Sequence, residues 1–149
     1  MPRSRRWSDL AGDDGSASVE LLTIGMLLTV PLVYLVLAMA QLQAATLATE
    51  GAARQAVRVV ATAESHADAL AAAHAAIAVA LADLGLDPSA VEVACTPTPS
   101  DCTTRGGVVQ VAVETTVPLP LVPPVLDLDV GLSVPIAAQA AQPVSELRP

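Results

Sequence analysis

From Leu21 to Thr49 the chain carries no charged side chain, and its most apolar section runs unbroken from Leu21 to Ala40. A helix needs about 20 such residues to cross the hydrocarbon of a bilayer, where every backbone polar group must find its partner within the segment. A soluble helix of this length keeps a polar face, and this one has none. Gly25 and Pro31 lie inside it. A membrane span tolerates both, and Pro31 predicts a kink. Glu20 stands at the very edge of the run, in the stretch G-S-A-S-V-E-L-L. A carboxylate near lipid costs up to about 2.5–3.5 kcal/mol on insertion scales, so it needs a partner.

Arg3, Arg5 and Arg6 precede the apolar run, while Arg54 and Arg58 follow it. The positive-inside rule places the N-terminus in the cytoplasm and the remainder outside, as a single-pass protein of the cell membrane. The composition excludes a second class. Net charge is −8, lysine is absent, and the seven arginines form no basic stripe that could neutralise phosphates, so nucleic acid is not a partner. Trp7 and Tyr34 are the only aromatic residues. Any folded domain beyond residue 40 therefore has an Ala/Val/Leu/Ile core, which is thin for a small domain.

Cys95 and Cys102 bracket a polar, proline-rich loop, C-T-P-T-P-S-D-C. The spacing lacks the further Cys or His of a zinc site and is not a C-x-x-C redox motif. A local disulfide in an exported domain fits it, with two free thiols in a cytosolic loop as the alternative. Closing so short a ring contributes roughly 2–3 kcal/mol in the loop-entropy model.

The helical pattern continues past the apolar run, predicting one helix over about 18–62, half in lipid and half outside. Ala45, Ala48, Ala52, Ala56, Val59 and Ala63 make a small-residue stripe, with Glu50, Arg54 and Arg58 on the other side. The stripe suits either close packing against neighbouring subunits or covering of its own domain. Ser65 with Asp68 resembles a capping box and starts a second helix over 66–84, with Leu70, Ile77, Leu81 and Leu84 as its apolar face and Gly85 as its stop. His66 and His74 fall on that helix with no third ligand in register.

Beyond Asp87-Pro88-Ser89 the period changes to two. Alternating runs at about 90–95, 107–117 and 125–134 predict a three-stranded antiparallel sheet with one wet face, its dry face covered by the helices. Leu119, Leu121 and Val122 lie in the apolar connection V-P-L-P-L-V-P-P-V, which is either a contact site or tucked against the core. Residues 137–149 read as a flexible tail. The fold class is α+β: a transmembrane helix continuing into a long helix, a second helix and a small sheet.

Catalytic chemistry is not expected. The histidines sit on an Ala-rich helix, Gly106-Gly107 reads as a turn before a strand, and Asp127 and Asp129 alternate onto a solvated strand face. No cofactor and no metal are implied.

With Gly15 ending a short leader, Ser16 becomes a new first residue and Glu20 the fifth, ahead of a long apolar helix. This resembles the type IV prepilins. The S-V-E-L junction, the A-A-R-Q-A-V-R stretch, the short strands and the P-V-x-E-x-R-like tail resemble a TadE-like minor pseudopilin of the tight-adherence (Flp) pilus system. The resemblance implies a leader at 1–15, a transmembrane helix at 16–42, an exported domain at 43–136 and the tail. It implies cleavage between Gly15 and Ser16 by a prepilin peptidase. It also implies pairing of Glu20 with the freed amine of a neighbouring subunit, and partners among other pilins, pseudopilins and the pilus assembly machinery. Leu21 stands where the major pilin of that system has Tyr, which with the larger domain points to a minor component. Two other readings remain: a small secreted protein cut after Ala40 in Ala38-Met39-Ala40, and a plain single-pass membrane protein.

Overall fold

A computed structural model describes residues 14–120 and 133–146. The chain orders as two helices and then three strands: α1 (Asp14–Thr62), α2 (His66–Ala82), β1 (Pro88–Thr96), β2 (Val108–Pro118) and β3 (Ser133–Pro143). It divides after Leu37 into two compact units, and α1 contributes to both. Residues 1–13, most of the expected leader, and the stretch 121–132, with most of the strand expected at 125–134, lie outside the described residues.

In the first unit the helix is apolar around its whole circumference, and its side chains are exposed. Leu21 and Leu22 are 74% and 73% accessible, and the large aliphatic side chains from Ile24 to Leu37 are exposed as well. It is long and apolar enough to cross a membrane, and the helix runs through Pro31 without interruption.

The second unit is the α+β domain. Its sheet is antiparallel in the order β1-β2-β3, so β2 is hydrogen-bonded on both sides. Period-two alternation in β2 turns Val109, Val111, Val113, Thr115 and Val117 inward. Pairing sets them in rows: Val91–Val113–Ala138, Val93–Val111–Ala140 and Cys95–Val109–Gln142. The inward valines of β2 join Ala45, Ala52, Ala53, Ala56, Val57 and Val60 of α1 and Ala69, Ala73, Ile77 and Leu81 of α2 in one core cluster. No aromatic residue belongs to it, and alanine lets the helix backbones come close where larger side chains would hold them off. Two buried hydroxyls are satisfied: Thr49 donates to the Ala45 carbonyl, and Thr115 donates across the fold to the Asp87 carbonyl, each at 2.7 Å.

α2 begins where its sequence signal places it and ends at Ala82, two residues before the expected 84, with Gly85 closing it. Ser65 accepts the Asp68 amide at 3.2 Å and donates to the Asp68 carboxylate at 2.6 Å. At the other end Gly85 takes φ +64°, the Leu86 amide returns to the Leu81 carbonyl and the Gly85 amide to that of Ala82. This is a Schellman closure, with Leu81 and Leu86 both buried beside it.

Three expectations need correction. The buried face of α2 is Ala69, Ala73, Ile77 and Leu81, four apart throughout, with Leu70 only half-buried at its flank. Leu84 falls beyond the end of the helix and is 45% exposed. The third strand lies at Ser133–Pro143 and so occupies much of the segment expected to be a tail. The cause is a backbone clamp: the Gly106 amide donates to the Val144 carbonyl, and the Val144 amide donates to the Gly107 carbonyl at 2.8 Å. With Val144 buried, this fixes β3 in register along the whole of β2. Pro135 and Pro143 are tolerated because β3 is an edge strand.

The small-residue stripe faces its own domain. Ala52 and Ala56 are fully buried, Ala45 nearly so, and Ala48, Val59 and Ala63 are half-buried. Ala52 and Ala56 are therefore core residues and are not open to a neighbouring subunit.

Candidate functional site

Two places collect the residues with functional chemistry. The first is the start of α1. Gly15 and Ser16 lie in its first turn, and Glu20 follows one turn later, exposed and helical. Between Glu20 and Glu50 the helix has no other ionisable side chain except the phenol of Tyr34. Glu20 therefore marks one end of the apolar stretch. Near its other end Glu50 pairs with Arg54, an exposed bridge between residues four apart that contributes little to stability.

The second is the β1–β2 loop. Cys95 and Cys102 are joined by a disulfide with Cα atoms 5.1 Å apart, and both are buried. The loop is held from two directions. The Cys102 amide donates to His66 Nδ1 at 3.4 Å, linking the first turn of α2 to the disulfide. The Asp101 carboxylate accepts the Thr103 hydroxyl at 2.5 Å, the Thr103 amide at 2.8 Å and the Thr104 hydroxyl at 3.4 Å. These donors, led by the Thr103 hydroxyl, hold the Asp101 carboxyl below the usual carboxylate range, with a small contribution from His66. The sequence carries no signal for the His66 contact, because it spans distant positions and depends on how α2 meets the loop.

Gly107 closes this corner. A β-carbon there would stand 2.7 Å from the Thr96 carbonyl oxygen and 2.9 Å from that of Thr104, so only glycine fits. The loop is thus a tied structural corner, with Asp101, Thr103 and Thr104 bonded to one another. Among the described residues no group of three or more His, Cys, Asp or Glu is placed to hold a metal ion.

Leu119 is half-buried next to the end of β2, whereas Leu121 and Val122 lie outside the described residues. Comparison of the chain with protein-family models, with curated proteins and with solved structures finds no match.

Proposed function

We propose that this chain is a membrane-anchored minor pseudopilin that takes part in assembling a tight-adherence (Flp-type) pilus or a related secretion apparatus. In this reading a prepilin peptidase cuts between Gly15 and Ser16, the apolar part of α1 anchors the product, and the α+β domain lies outside the cell. The domain works by contact with other pilus components and turns over no substrate. The observation that carries the reading is the placement of Glu20. It is the fifth residue after a Gly-Ser junction and the carboxylate that borders the uncharged, exposed run beginning at Leu21. A charge kept at that position needs a partner, and an amine freed by cleavage supplies one only after processing. A cut after Ala40, as in the secreted reading, would fall inside α1, which continues without a break from Asp14 to Thr62.

N-terminal sequencing of the membrane-associated protein tests the reading. A start at Ser16 is expected. A start at Gln41, in a soluble product, or an intact Met1 would refute it. Glu20→Ala is then expected to leave cleavage and membrane insertion intact and to abolish incorporation into the assembled fibre. Normal assembly of that variant would make the carboxylate an accident of the boundary.

A further inference from the structure

Two surfaces of the α+β domain lie on opposite sides of its core and carry complementary charge. The first is the outward face of the sheet. Alternation turns Ala90, Ala94, Ala112, Ala137 and Ala141 outward, with Glu92 and Glu114 among them. Glu92 pairs with Ala112 and Glu114 with Ala90, so the two carboxylates are diagonal neighbours roughly 7–8 Å apart. Neither has an ion-pair partner among the described residues, and no strand contains a basic residue. Gln110 and Gln139 bond to each other at 3.1 Å. The short side chains leave a shallow depression of about 310 Å³ over residues 112–114 and 137–139. A wet sheet face ordinarily carries longer polar groups, and alanine is a poor strand former.

The second surface is the exposed side of α1 within the same domain. Leu47, Gly51, Arg54 and Arg58 fall on one side of the helix, and all four are exposed, Leu47 at 70%. Arg58 has no ion-pair partner among the described residues, and Arg54 has only its exposed bridge to Glu50. Nothing in its own fold requires Gly51. It sits inside the helix, where glycine is poorer than alanine, and a β-carbon added to it would meet nothing within 4 Å. A glycine so placed admits close approach by a backbone from outside the domain.

We infer that the Gly51 side of α1 in one copy of this chain docks on the outward sheet face of a second copy. Arg54 and Arg58, with β-carbons about 5–6 Å apart, approach the spacing of Glu92 and Glu114. Gly51 lets the helix settle on the alanines between those carboxylates. In any one copy the core stands between the two surfaces, so the pairing forms between copies. Because the surfaces differ, the contact is head-to-tail, and each copy keeps one of them free for the next. All of these residues belong to the Ala38–Pro149 unit, so the contact does not depend on cleavage after Gly15.

Cross-linking of the full chain in detergent micelles at low salt tests this. Gln55→Cys places a thiol beside Gly51, and Ala112→Cys places one at the centre of the sheet face. The native cysteines are joined to each other and do not compete. A short bismaleimide is expected to link the two variants when they are mixed and to leave each alone unlinked. Self-linking of either variant without linking in the mixture would overturn the inference in favour of a symmetric contact. Linking in all three samples, or in none, overturns it as well. Arg58→Glu in the Gln55→Cys chain is expected to lower the mixed yield about tenfold or more, and Glu92→Arg or Glu114→Arg in the Ala112→Cys chain to restore it. Restoration by neither would sink the charge pairing on which the docking rests. Gly51→Leu is expected to leave the thermal melt of the domain no lower, since no contact within the fold is lost, and yet to suppress the link. An undiminished link in that variant would overturn the inference.

Discussion

Gly107 shows how one position can carry a whole corner. Its would-be β-carbon meets two backbone carbonyl oxygens, which cannot swing aside as a side chain would. Gly107→Ala is therefore expected to cost about 1–3 kcal/mol in urea unfolding, in the range of overpacked sites. A change within about 0.5 kcal/mol would mean that the corner is more compliant than its contacts indicate. Asp101 offers a test by pH. Its folded pKa is depressed, so its contribution is complete above the ordinary carboxylate value of about 3.9 and is lost as pH falls through the lower folded value. Carboxyl NMR titration is expected to find Asp101 below that value, and Thr103→Val is expected to raise it, since Thr103 supplies the leading hydrogen bond.

At the scale of elements, what the sequence made legible depended on contrast between faces. β2 was readable because valines alternate with Gln110, Glu114 and Thr116, and the helix start was readable because Ser65 and Asp68 form a local motif. β3 was not. Its faces differ in burial but hardly in residue type, with alanine on both, Gln139 outward and Gln142 half-buried. Its register is set by the distant Val144–Gly107 clamp, which no window of sequence contains. Alanine also hid the inner face of α2, where Leu70 drew attention away from Ala69 and Ala73. The α1 stripe was visible as a pattern, and only burial decided between packing within the domain and contact with a neighbour. Ala52→Leu tests that outcome. It is expected to lower domain stability by about 1–3 kcal/mol, while Gln55→Leu on the exposed side stays within about 0.5 kcal/mol. Equal stability of the two variants would remove Ala52 from the core.

For the molecule as a whole, the exposed apolar helix and the aromatic-free core make opposite demands. The helix is long and apolar enough to cross a membrane, while the domain packs around small aliphatic side chains alone. The Cys95–Cys102 link is therefore a large share of a small margin. Reduction is expected to lower the unfolding free energy of the domain by roughly 2–3 kcal/mol. Mass spectrometry after alkylation should find no free thiol in the native protein. The order of the strands also fixes a schedule. β2 is made with β1 already available, but its second edge stays open until the chain has been extended through Pro143. At about 5–20 residues per second, adding Leu119 to Pro143 takes on the order of 1–5 s. Throughout that interval the most apolar strand of the sheet presents a bare row of amides and carbonyls, a template for pairing with the wrong chain. A ribosome stalled between β2 and β3 would thus leave the nascent domain at its most adhesive, and the proline-dense connection it is then translating sets how long the exposure lasts.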